Sequence, residues 1–208
     1  GWGNLKVEIA GVRDALGVAL DHKPDGLLIE GEANIFRTET YLVGDGFAMA
    51  ASSTDIYAAD VLDLQIGDGV EIDAYVSGQA GPGAGTSAAW SLTDGSIYMM
   101  NSDTDGYYVD FTVDWAYSVS GGANVNLLVA DFNYDLFGRF IPDAGLPLTD
   151  SGTENLQVFV PGAGLNQLVF AADAEGEATC TPVPVPSSFT LALGMTGLVR
   201  VLRGRRAD

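Results

Sequence analysis

The chain has one cysteine, Cys180, and one histidine, His22, among 208 residues. A single thiol excludes an intrachain disulfide framework and a cysteine-rich zinc site, and a single imidazole leaves almost nothing for histidine-metal or Ser-His-Asp chemistry. Positive charge is equally scarce: 9 Lys plus Arg stand against 28 Asp plus Glu, a net charge of −19. Such a field repels phosphate backbones, so nucleic acid is excluded as a partner. No apolar run approaches the roughly 20 residues of a permanent membrane helix, while a hydrophobic content of 47% excludes wholesale disorder. No phosphate loop, dinucleotide fingerprint or fixed-period repeat is present. What remains is a folded acidic body suited to carboxylate chemistry or binding.

The few cations are unevenly placed. Residues 1–186 carry 5 basic and 27 acidic side chains, whereas residues 187–208 carry 4 and 1. Between Arg37 and Arg139 there are 15 acids and no cation. The body therefore expects salty surroundings or a divalent cation, and the tail has a different purpose.

Strict alternation dominates the body. Over residues 106–119, Tyr107, Val109, Phe111, Val113, Trp115, Tyr117 and Val119 interleave with Tyr108, Asp110, Thr112, Asp114, Ala116 and Ser118. That is period 2, a strand with one dry and one wet face. The same pattern recurs over residues 5–9, 29–35 and 70–76, with shorter runs at 62–66, 125–129, 156–160 and 168–171. Turn dipeptides separate them: Asp45-Gly46, Asp68-Gly69, Asp94-Gly95, Gly121-Gly122 and Ser151-Gly152. The pattern predicts an all-β fold, an antiparallel β-sandwich or jelly-roll-like body. Residues 12–20 read as a short helix or a strand, and the Gly- and Ala-rich stretch 79–87 as a loop. The strand at 106–119 spans roughly 46 Å at about 3.3 Å per residue, and if it lies at a sheet edge, Asp110 and Asp114 hold identical neighbours apart.

The tail divides into three parts. Pro182, Pro184 and Pro186 impose an extended spacer, residues 187–199 are uncharged, and Arg200, Arg203, Arg205 and Arg206 follow. Thirteen uncharged residues rise only about 20 Å as a helix against a hydrocarbon core of about 30 Å, which suits a temporary anchor whose arginines stay on the cytoplasmic side. The expected organisation is a body over 1–179, a Pro-rich linker over 180–188 and a short C-terminal hydrophobic helix with an Arg-rich end over 189–208. The alternative for the tail is an amphipathic helix packed on the sandwich.

This order of parts resembles the PEP-CTERM sorting signal, over about the last 25 residues. The motif maps to Val183, Pro184, Val185 and Pro186, then Ser187 and Ser188, with Val185 where the family usually has Glu. The membrane anchor maps to Phe189, Leu191, Leu193, Met195, Leu198 and Val199, ahead of the arginines. The resemblance implies recognition and tail removal by an exosortase, an integral-membrane cysteine-dependent protease or transpeptidase. It also implies transient inner-membrane anchoring, secretion to the cell surface, and a biofilm or extracellular-polysaccharide setting. Residues 1–25 contain no basic n-region or apolar h-region, so the chain is expected to be mature at its N-terminus or a fragment.

Two local patterns carry candidate chemistry. Asn101, Asp103 and Asp105, with the Tyr107 carbonyl, follow the first half of a calcium loop, but the twelfth position is Thr112 rather than Glu, so an ordinary turn is the competing reading. Trp90 and Tyr108 are the aromatics placed to stack on sugars, ahead of Tyr98 and Tyr107, while Trp115 belongs to the apolar face. The functional expectation is an exported structural or adhesive surface or matrix protein without catalysis. Its partners are the exosortase, extracellular polysaccharide or further copies of itself. The alternatives are a calcium-dependent carbohydrate-binding module and, more distantly, a glycosidase using two of the many carboxylates.

Overall fold

A computed structural model of the chain describes residues 1–81, 85–131, 135–142 and 146–180. The sorting motif from Val183 to Ser188, the anchor from Phe189 to Val199, the arginines and the expected C-terminal helix lie outside the described residues.

Eleven strands occupy the described residues: β1 (Trp2–Asp14), β2 (Ala19–Leu20), β3 (Leu27–Val43), β4 (Gly46–Tyr57), β5 (Gly69–Ala80), β6 (Gly85–Asn101), β7 (Tyr107–Val119), β8 (Ala123–Asp131), β9 (Asp135–Ile141), β10 (Leu148–Val160) and β11 (Leu165–Cys180). They form two antiparallel sheets stacked as a sandwich. The first has the order β10-β7-β1-β5-β4, with β2 attached to β1, and the second β3-β6-β11-β8-β9. Alternation puts Leu5, Val7, Ile9, Ile72, Phe111 and Val113 of the first sheet against Ile29, Ile97, Met99, Leu127, Leu168 and Phe170 of the second, in one core. Each such side chain contributes about 1.5–3 kcal/mol by leaving water. Trp115 belongs to this core, 6.0 Å from the Tyr117 ring in a near-parallel stack.

Several sequence expectations change in three dimensions. Of the two readings of residues 12–20, strand replaces helix at both ends: Val12 and Arg13 of β1 pair with Leu20 and Ala19 of β2, the intervening turn being held by the Asp14 carboxylate, which accepts from the Leu16 and Val18 amides. Much of 79–87 is strand, because small residues place no bar on pairing; β5 runs through Ala80 opposite Gly46, and β6 starts at Gly85 opposite Cys180. Conversely, 62–66 is not a strand. The carboxylates of Asp60 and Asp68 accept from the Leu62 and Gln65 amides, curling the segment into turns. That segment seals part of the β3 edge, with Leu64 fully buried and its amide donating to the Ile29 carbonyl.

Two of the expected turns lie within strands. Asp94-Gly95 sits in β6 and Ser151-Gly152 in β10, because each glycine makes room for a ring on the neighbouring strand. A Cβ at Gly95 would run into the Phe170 ring, and one at Gly152 would lie 2.6 Å from the Trp115 indole. The long strand β7 is not an edge either. It pairs along its length with β1 and β10, so the repulsion of like edges through Asp110 and Asp114 does not arise. The edges are β10 and β4 in the first sheet and β3 and β9 in the second.

The body also reaches one residue further than expected. β11 runs through Cys180, the first residue assigned to the linker.

Candidate functional site

The turn between β6 and β7 holds the candidate calcium ligands, and several of its polar groups are bonded to one another. The Asn101 amide donates to the carbonyls of Asp105 (2.7 Å) and Pro161 (3.1 Å), while its side-chain oxygen accepts from the Asp103 amide (2.9 Å). The Tyr107 hydroxyl donates to Asp103 Oδ2 at 2.7 Å. That hydrogen bond, with burial, pushes the phenol up to about 12. The ordinary-turn reading fits this geometry: Asn101, Asp103 and Tyr107 are joined by the clasp that closes the hairpin. Among the described residues, no group of three or more His, Cys, Asp or Glu side chains is arranged to hold a metal ion.

The two aromatics expected to bind sugar stand on opposite sides of the molecule. Tyr108 faces outward on the first sheet, 4.9 Å from the Phe159 ring. Trp90 faces outward on the second, with the Arg37 guanidinium 5.1 Å from its ring centre. They do not form one site.

Outward residues of the first sheet are tied together. Asp73 accepts from Trp2 Nε1 (3.3 Å), Asn4 Nδ2 (3.0 Å) and Ser53 Oγ (2.9 Å), and Asn4 also donates to Glu71. Asp110 receives Arg13 Nε and Gln157 Nε2, both at 2.7 Å, and Asp114 receives Thr153. This face meets its own hydrogen-bonding needs.

The second sheet's outward face differs. Strand β6 presents Trp90, Leu92, Asp94, Ser96, Tyr98 and Met100 outward, and its neighbours add Glu32, Asn34, Gln167 and Val169 in register. A groove of about 290 Å³ crosses β3, β6, β11 and β8, lined by Glu32, Asn34, Asp94, Tyr98, Gln167 and Leu128 among others. Phe170, seated in the gap left by Gly95, and Ala171 belong to the same lining. Asp94 Oδ1 is buried there without a hydrogen-bond partner, and Tyr98 is 38% exposed. Further along the face, burial and the neighbouring Glu175 raise Asp173 above its ordinary value, with Arg37 opposing them.

Asp94, Asn34, Glu32 and Gln167 carry no signal in the sequence that marks them as a site, and Tyr98 stands out there less than Trp90 and Tyr108. Alternation along 90–100 was the available signal. It was obscured because the inward positions Ser91, Thr93 and Gly95 are small or polar and Asp94-Gly95 resembles a turn.

The chain matches no protein-family model and no curated protein. Among solved structures it shows a slight likeness to a secreted serine protease, VesC, from Vibrio cholerae. The identity is 9%, covering 72% of this chain and 46% of that one, with a TM-score of 0.15. An overlap of that size carries no argument about fold or activity.

Proposed function

We propose that this chain is an exported cell-surface or extracellular-matrix protein with a structural or adhesive, non-catalytic role, whose β-sandwich is delivered by an exosortase-type tail. The observation that carries the reading is the order of parts after the last strand. β11 ends at Cys180, and the proline ladder begins at Pro182. All eleven strands of the described residues precede it, so release of the tail removes none of them. Its attachment point also suits an anchor, because β11 is hydrogen-bonded to β6 as far as Cys180 and to β8 from Leu168 to Gly176, so a pull on the tail loads a strand held on both sides over much of its length.

Adhesion between copies is assigned to the margin where β3 and β4 meet, both edge strands. Tyr41, Leu42, Val43, Phe47 and Met49 are exposed there, the kind of edge open to another strand. A second reading, polysaccharide binding by the body, is favoured by the groove across the second sheet.

The test of the leading reading is the intact mass of the protein from cells with and without a matching exosortase. The expected result is loss of the span and arginines only when the enzyme is present, and an uncleaved, inner-membrane-associated precursor for the Pro184→Ala, Pro186→Ala variant. Full-length chain in the washed extracellular fraction of normal cells overturns it.

A further inference from the structure

The groove has unspent bonding capacity of one particular sign. Asp94 lines it, partly exposed, with Oδ1 enclosed and without a donor among the described residues. Buried carboxylate oxygens are ordinarily satisfied, so Asp94 keeps bonding capacity that the fold does not use. The charge around it narrows the kind of donor. Pairing register places Glu30, Glu32, Asp94, Asp173, Glu175 and Glu177 on this face, and the cation among its described residues, Arg37, is already held by Glu39 at 2.7 Å and lies over Trp90. The face therefore attracts a cation and repels uronic-acid or phosphate polymers. A metal ion is disfavoured as that cation, because no cluster of three acidic or imidazole ligands occurs among the described residues.

The other lining groups point to a polyol. Asn34 and Gln167 bring amides, Ser96 adds a small polar position, and exposed Tyr98 supplies an aromatic ring. Amides beside an aromatic suit hydroxyls and the C–H face of a sugar ring. The groove's volume is near the lower end of ordinary ligand sites, about 300 Å³, and it crosses four strands, as a linear polymer lying over the sheet would require.

We infer that this groove binds an amino-sugar polymer with free ammonium groups, Asp94 accepting from an ammonium while Tyr98 stacks on the ring and Asn34 and Gln167 meet hydroxyls. This rests on the second reading above, polysaccharide binding by the body, and specifies its ligand class; it is independent of tail processing.

Calorimetric titration of the full chain at pH 6 and low salt tests it, with β-1,4-linked glucosamine hexamer, the fully N-acetylated hexamer and hexalysine as probes. The glucosamine hexamer is expected to bind at least tenfold more tightly than either of the others, and to weaken as salt is added. Asp94→Asn and Tyr98→Ala are each expected to lose at least tenfold. Asp110→Asn, on the opposite face, is expected to bind as the unaltered chain does, and a cooperative melting transition in each case checks that all three variants fold. Equal binding of the two hexamers overturns the ammonium assignment while leaving polysaccharide binding standing. No binding of either hexamer overturns both. Hexalysine binding as tight as the glucosamine hexamer, or full affinity in Asp94→Asn, reduces the interaction to diffuse attraction by an acidic surface and also overturns the assignment.

Discussion

The two outward faces of this sandwich are made from the same kind of strand and differ in what their polar groups do. On the first sheet Asp73, Asp110 and Asp114 accept from Trp2, Asn4, Ser53, Arg13, Gln157 and Thr153, so the acids help to fasten neighbouring strands together. On the second sheet Asp94 keeps a buried oxygen unmet, Asp173 is held above its ordinary value, and Tyr98, Met100 and Val169 remain exposed. A net charge of −19 says nothing about this division. An acid that fastens a sheet and an acid left available to a ligand look alike in composition; only the donors opposite them tell them apart.

The two faces rest on one core, and the largest loss is expected from removing what lies beneath the second. Phe170 is 2% exposed and fills the space left by Gly95, so Phe170→Ala is expected to cost about 3–5 kcal/mol in urea denaturation. A loss below about 1 kcal/mol would mean that the groove floor is not part of the shared core. A smaller effect sharpens the contrast between acids. Asp73→Ala strands three donors and is expected to cost about 1–2 kcal/mol. Asp94→Asn, by contrast, is expected to leave stability unchanged or higher, because it removes a charge from a side chain with an enclosed oxygen that no donor meets. Equal losses from the two variants would erase the distinction between the faces.

The smallest expected effect depends on pH. Burial, reinforced by Glu175, holds Asp173 above its ordinary value of 3.8 in the folded chain, so ionisation favours the unfolded chain. The sign follows directly: the penalty is present at neutral pH and disappears as pH falls below the unfolded value. Asp173→Asn is therefore expected to raise the melting temperature at pH 7, with the gain shrinking to nothing towards pH 3. A gain that persists there would point to packing rather than charge.

Some of this was legible along the chain. In β7, Val109, Phe111, Val113 and Trp115 are all large and all inward, so alternation revealed both the strand and its buried face. In β6 the same rule failed, because the inward positions include Ser91 and Thr93. Their hydroxyls are satisfied across the sandwich by the carbonyls of Ala51 (2.7 Å) and Asp73 (2.6 Å). Nothing local to β6 reveals that those acceptors stand opposite. Asp94-Gly95 and Ser151-Gly152 misled for a related reason, since a glycine that yields to a ring on the next strand has the same spelling as one that turns a corner.

The all-β class, the strongly alternating strands and the acidity of the body are written in the sequence, because each follows from side-chain period or composition over neighbouring residues. Tertiary structure decided that β7 is interior, that residues 62–66 seal an edge, that Trp90 and Tyr108 face apart, and that Asp94 lines a groove. Those outcomes depend on which strands pair and in what register, and pairing brings together residues far apart in sequence whose contacts no local pattern records.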